Sequence, residues 1–396
     1  MLPLLMVALV TGCSGTPQAP LTPSQTADAD PAYCRELRPT VTALSEDMRV
    51  PGAVVLVRSV ELGDCFISLG SEVIGEDRPI DEDAAIRIGS NTKTMTGTVV
   101  LQLVEEGAIS LDDPVSRYRA DVPNGDEITI DQLLSMSSGI ADYSWAPQLV
   151  ESMDDTPQRQ WTPDQLLALS FAQPPAFPPG EGYLYSNANT VLLGLIIEQV
   201  TGTTLQRAFE TRLFEPLGLE RTSLPPQDSS AMPDDHAHGY MFGTVGELID
   251  DGGILSPAEL AEVDAGTLIP NDVTDGNPSW AWAAGGAIST TSELADWVEA
   301  LVAGDLIGEE LLDHRLASVR PIDPDDPNSA AYGEGIARYG ALYGHSGELP
   351  GYNAFMGHDP ERDLTIVAWS NLMVAPDGRL TATALSQAVI DQLHTE

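Results

Sequence analysis

The sequence predicts a mixed α/β (α+β) fold, in which an antiparallel sheet flanked by terminal helices carries a largely helical inserted domain. Three observations predict it. Apolar, β-branched runs that read as strands lie near both ends of the 396-residue chain, around 53–57 and 364–369. The long stretch between them carries mostly helical periodicity with long loops. The chain then closes on a final helical pattern at about 381–393.

The elements follow in order. Residues 1–12 are almost wholly apolar up to Val10 and too short to span a bilayer, which fits a signal peptide. Val10-Thr11-Gly12-Cys13 resembles the lipobox of bacterial lipoproteins, which implies lipidation at Cys13; an ordinary secretory signal is the alternative. Residues 13–35, rich in Pro, Thr, Ser, Ala and Asp, read as a lipid-anchored flexible tether. The expected location is therefore exported, on the outer face of a bacterial cell membrane, or else secreted. The folded domain is expected over 36–396, with its sheet part at about 36–95 and 284–396 and the helical insertion at about 96–283.

Pro51-Gly52 leads into a buried strand at 53–57, and 65–69 is its hairpin partner after Gly63-Asp64. A short extended piece at 85–88 precedes a helix that starts near Ser90, carries Val99, Val100, Leu103 and Val104 as a stripe, and ends at Gly107. Further helices are expected at 130–134, at 191–200 with Gly202 as stop, and from about 291 with Leu294, Trp297, Val298 and Leu301 on one face. Strands are expected at 339–343, 352–356 and 364–369. Cys34 and Cys65, an even pair once Cys13 is set aside, are expected to form a disulfide in an oxidising compartment. Closing that loop stabilises by about 3–4 kcal/mol in the chain-entropy picture. Two buried thiols are the alternative.

Charge narrows the function. Sixty Asp and Glu against 18 Lys and Arg give a net charge of −42. Such a surface repels nucleic acid and anionic headgroups, so no nucleic-acid partner is expected, and the membrane is reached only through an anchor at Cys13. The acidic residues are spread along the chain, as on a solvated surface. Every basic residue is arginine except Lys93, the single lysine of the chain.

That lysine stands three residues after Ser90. A serine hydroxyl is a weak nucleophile until a neighbour takes its proton. On a helix, i and i+3 share a face, so the Lys93 amine can reach the Ser90 hydroxyl. Arginine stays protonated and cannot serve as a base, whereas lysine can be tuned toward neutrality. The helix N-terminus is expected to favour both a neutral amine and a serine alkoxide.

Two later triplets complete a set: Tyr185-Ser186-Asn187 after Pro179-Gly180-Glu181-Gly182, and His345-Ser346-Gly347 on a candidate strand. Ser90-x-x-Lys93, Tyr185-x-Asn187 and His345-Ser346-Gly347, in this order, resemble the three motifs of the penicillin-recognising serine hydrolases, which include class C β-lactamases, D-alanyl-D-alanine carboxypeptidases and related esterases. The likeness covers about 40–393, with support at 128–143, Pro216-Leu217-Gly218-Leu219 and Gly285-Gly286. It implies a serine β-lactamase/DD-peptidase-like catalytic domain. It also implies Ser90 as the acylated nucleophile, and Lys93 and Tyr185 as proton carriers. Asn187, His345, Ser346 and Gly347 would bind substrate, with Gly347 leaving room along the strand edge. The backbone N–H groups of Ser90 and Glu348 would form an oxyanion hole.

No metal or cofactor motif occurs. His236 and His238 lack a third ligand and read as loop residues. No Gly-x-Ser-x-Gly elbow or phosphate loop is present.

His345 stands where most β-lactamases have lysine, and resembles certain exported carboxypeptidases. Its charge is expected to titrate near neutrality. Glu348 is a second departure, because an acid there repels substrate carboxylates. The expected function is hydrolysis, through an acyl-enzyme, of a small-molecule or peptide substrate of the D-alanyl-D-alanine type. A β-lactamase or carboxyl esterase is the alternative, and a non-catalytic penicillin-binding envelope protein stands further off.

Overall fold

The computed structural model describes residues 30–323 and 329–394. Cys13, the expected signal peptide and most of the expected tether lie outside the described residues. The first helix, α1 (Ala32–Asp47), begins before the expected domain start at 36. Tyr33, Leu37 and Val41, spaced by four, put one buried stripe on this helix. Arg, Glu and Pro residues interleave with that stripe and hide it in the sequence.

Eight strands form one antiparallel sheet: β1 (Gly52–Ser59), β2 (Cys65–Gly70), β3 (Arg320–Pro321), β4 (Ala331–Tyr332), β5 (Ala337–Tyr339), β6 (Leu342–Leu349), β7 (Tyr352–Asp359) and β8 (Leu364–Ser370). Their order across the sheet is β2-β1-β8-β7-β6-β5-β4-β3. The N-terminal hairpin therefore joins strands from the far end of the chain through β1 and β8, with Val54 opposite Trp369. The strand expected at 339–343 is two strands. Gly340, at φ +62°, makes the turn between β5 and β6.

Alternation along β1 shows why its apolar run is continuous. Ala53, Val55 and Val57 join one core with Leu37 and Val41 of α1 and with Leu385 and Val389 of the last helix. Val54 and Leu56 face a second core with Trp297, Val298 and Trp369. A strand covered on both faces needs no polar side. Cys34 of α1 and Cys65 of β2 are joined in a disulfide, with their Cα atoms 5.4 Å apart.

Among the remaining helices, α2 (Thr92–Glu105), α3 (Asn187–Thr201), α4 (Thr291–Ala303) and α5 (Thr381–His394) define the architecture. The helices α1 and α5 cover one face of the sheet and α4 the other. Trp297 of α4 donates its ring N–H to Thr94 of α2 at 2.9 Å, and Trp369 of β8 donates to Thr291 of α4 at 2.8 Å. These buried bonds fix α2 to the sheet. Shorter helices fill most of the region between α2 and α4, together with two-stranded ladders, Ile86–Arg87 with Ile288–Ser289 and Tyr240–Met241 with Asn271–Asp272. Contacts bind the described residues from Pro31 onward into one unit. No described helix is long and apolar enough to cross a membrane.

Candidate active site

The nucleophile sits on a turn. After Ile86–Arg87 the chain makes a 3₁₀ turn at Gly89–Asn91 and enters α2. Two side chains close this turn locally: Thr92 Oγ1 donates to the Gly89 carbonyl at 2.8 Å, and Asn91 Nδ2 to the Ile88 carbonyl at 2.7 Å. Gly89 holds φ +53°, and a Cβ there would lie 2.4 Å from the Glu348 backbone nitrogen. A Cβ on Gly347 would lie 1.9 Å from the Ile88 carbonyl oxygen. Two glycines thus let the Ser90 turn seat directly on β6. The expected role of Gly347 is corrected accordingly: its missing side chain makes room for the nucleophile turn, not for substrate. The same contact brings the Glu348 N–H to the Ser90 turn, as an oxyanion hole built from Ser90 and Glu348 requires.

Lys93 is 1% exposed. Its Nζ lies 2.9 Å from Ser90 Oγ, 2.6 Å from Asn187 Oδ1 and 2.8 Å from the Ala284 carbonyl. Burial lowers its pKa to about 7, against the opposing charges of Asp142 and Glu348. Desolvation is thus the leading cause of the tuning. A neutral amine has two N–H donors and one lone pair. Asn187 Oδ1 and the Ala284 carbonyl only accept, so both donors are engaged there and the lone pair faces the Ser90 hydroxyl. That is the geometry of a general base on a nucleophile.

Asn187 begins α3, and its orientation is fixed by a chain of partners. Its Nδ2 donates to Ser144 Oγ at 2.7 Å, which leaves Oδ1 for Lys93. Asp142 accepts from the Asn187 backbone N–H at 2.8 Å and is hydrogen-bonded to Ser144. Tyr185 precedes α3. Its ring centroid is 4.8 Å from Lys93 Nζ, and its hydroxyl is hydrogen-bonded to Ser90. Burial raises the phenol well above its usual value, so Tyr185 stays protonated. Lys93 and Tyr185 therefore divide the proton work: an amine that accepts and a phenol that donates.

On the third side, β6 pairs with β5 only at Leu342, Tyr343 and Gly344. From His345 to Leu349 that edge pairs with no strand among the described residues. His345, Ser346, Glu348 and Leu349 line a cavity of about 530 Å³ together with Ser90, Tyr185 and Asn187. Ser346 Oγ accepts from the Tyr339 hydroxyl at 3.1 Å.

His345 corrects a second expectation. It is buried, with Tyr332 at 5.6 Å and Tyr185 at 6.1 Å between ring centroids, and its Nδ1 bonds the Ser346 carbonyl. Burial, with the Lys93 charge adding to it, lowers its pKa to about 3. It is a neutral wall of the site at physiological pH, not a titrating cation.

The Beta-lactamase family model matches residues 37–390. The chain belongs to the beta-lactamase family. Within that family it is 26% identical over 351 residues to penicillin-binding protein 4* of Bacillus subtilis (strain 168), spanning 85% of this chain and 71% of that one. It is 26% identical over 346 residues to Protein flp of Staphylococcus aureus (strain MRSA252), of whose length it spans 62%. The solved structure of a D-stereospecific amidohydrolase from Streptomyces sp. matches with a TM-score of 0.74 at 31% identity, covering 91% of this chain and 98% of that one. The protein is a serine hydrolase of the beta-lactamase fold.

Several residues at this beta-lactamase-family site carried no signal in the sequence. Asp142 is one of 60 acidic residues, and Ser144 stands just past the 128–143 segment. Ala284 contributes only its carbonyl, which no motif records. Tyr332 reaches the site through β4, two residues long.

Proposed function

We propose that this hydrolase cleaves amide bonds in acyl donors that carry no negative charge beside the scissile carbonyl, an apolar amino-acid amide being the class that fits. One observation carries the reading. Apart from tyrosines, the ionisable groups lining the 530 Å³ cavity are Asp142, Glu348 and His345, and no arginine lines it among the described residues. With His345 neutral and Lys93 near neutrality, nothing there offers a substrate carboxylate an ion pair, while two acids oppose it. Trp145, Met153, Leu248 and Trp280 supply an apolar wall, and Trp145 is 65% exposed at the rim. Likeness to the Streptomyces D-stereospecific amidohydrolase supports the same class. A free amine on the donor is tolerated or favoured by Glu348, and neutral esters share the electrophile.

A second reading, hydrolysis of peptides ending in D-alanyl-D-alanine, is supported by the likeness to penicillin-binding protein 4*. Such peptides and β-lactams both carry the carboxylate that the cavity disfavours. The N-terminal sequence and the Cys34–Cys65 disulfide support export, with a lipid anchor at Cys13.

The test is kcat/KM over four donors: an apolar D-amino-acid amide and its L enantiomer, a D-alanyl-D-alanine peptide, and a chromogenic cephalosporin. The reading expects one of the two amides to lead. Faster turnover of the peptide or the cephalosporin than of either amide would refute it.

A further inference from the structure

Beside the catalytic cavity lies a second one of about 280 Å³. Met153, Val245, Trp280, Leu349 and Pro350 line both, so the two share a wall. Leu349 and Pro350 continue the free edge of β6 past Glu348. An extended acyl group that leaves Ser90 along this edge is therefore delivered to the second cavity.

The lining of that cavity mixes apolar side chains with polar ones, among them Asp154, Asp272 and Asp275, and includes a buried cation. Arg87, 3% exposed and three residues before the nucleophile, engages Nη2 with the carbonyls of Ser230, Thr274 and Gly276 at 2.7, 3.3 and 3.5 Å. Its Nη1 is buried and has no partner among the described residues. Asp275 is the carboxylate that acts on it electrostatically. A buried donor without an acceptor is an unfavourable state that an incoming oxygen relieves.

We propose that the second cavity is a subsite of the same active site, holding the side chain of the residue on the amino side of the scissile one, apolar along its length and ending in an oxygen acceptor, as a tyrosyl side chain does. The proposal rests on the hydrolase reading above and names the extended, peptide-like form of its substrate.

Peptide boronic acids test it without a leaving group. Boron accepts the Ser90 oxygen as the hydroxyl proton passes to Lys93, giving a tetrahedral adduct. Three probes are compared: an N-acetyl aminoboronic acid of one residue, and the same compound extended by phenylalanyl or by tyrosyl. The tyrosyl probe inhibits at least about tenfold more tightly than the unextended one, with the phenylalanyl probe between. Val273 lines only the second cavity and is half-buried, so Val273→Trp fills that space alone. This variant abolishes the gain and leaves the unextended probe within about twofold. Equal inhibition by all three probes, or a gain that survives Val273→Trp, overturns the subsite. An enzyme that shows the gain yet is idle on amides overturns the amidase reading alone.

Discussion

Lys93 Nζ lies 2.9 Å from Ser90 Oγ, at a point where burial holds the amine near neutrality. The single lysine of a chain with 18 basic residues stands where a removable proton is needed. The sequence pattern and the geometry agree on the chemistry, and each step of it can be separated experimentally.

Tyr185 is held protonated by burial and bonded to Ser90, so it serves the leaving group. Tyr185→Phe lowers kcat/KM on amides by about 10²–10⁴-fold. A p-nitrophenyl ester expels its leaving group without a proton, and its turnover falls less than about tenfold. Equal losses on both would remove the acid role.

Glu348 lines the cavity and is exposed at its rim, where its charge acts on a bound donor. Glu348→Gln raises kcat/KM about 3–10-fold for donors with a carboxylate and lowers it for donors with a free amine, the range reflecting screening by solvent. A neutral ester is unaffected. A change on the neutral ester as large as on the charged donors would contradict the electrostatic account.

His345 is neutral above pH about 3 in the folded protein and titrates near 6.5 when unfolded. Between these values the unfolded chain binds the extra proton, so stability is lost as pH falls from about 6.5 toward 3. Urea unfolding at pH 7 and 4.5 measures this: the wild type loses about 2 kcal/mol more than His345→Asn over that interval. The activity profile between pH 5 and 8 has the same shape in both proteins. A step in that range that vanishes in the variant would restore the titrating role.

The disulfide ties α1 to β2, at one edge of the sheet and four places from β6. Replacing Cys34 and Cys65 together by serine costs about 2–4 kcal/mol in denaturant unfolding. Turnover at 25 °C stays within about twofold. A large loss of turnover at full folding would mean that this edge shapes the site.

The sheet was legible because β1, β7 and β8 are buried on both faces and carry short apolar stretches at 53–57, 354–356 and 366–369, while β3, β4 and β5, two or three residues long, leave no pattern. The site was legible where chemistry demands a residue type, as at Ser90, Lys93 and Tyr185. It was not legible where position alone matters. Asp142 and Ser144 orient Asn187 through contacts some 45 and 43 residues apart in sequence. The neutrality of His345 comes from the rings of Tyr332 and Tyr185, which only the folded sheet and the α3 entry bring together. The packing demand on Gly347 leaves no trace in the sequence, because its close neighbour, the Ile88 carbonyl, comes from a turn more than 250 residues away.

The central claim is that neutral Lys93 activates Ser90. The most direct test is the rate at which an uncharged fluorophosphonate modifies Ser90, followed by intact mass from pH 5 to 9. Burial raises the Glu334 carboxyl to about 7, the value to which it lowers Lys93, and Glu334→Gln controls for it by leaving the profile unchanged. The account predicts a rate that rises through an apparent pKa near 7 to a plateau, and no modification in Lys93→Arg. A flat profile, or a Lys93→Arg protein that is modified at the wild-type rate, would contradict it.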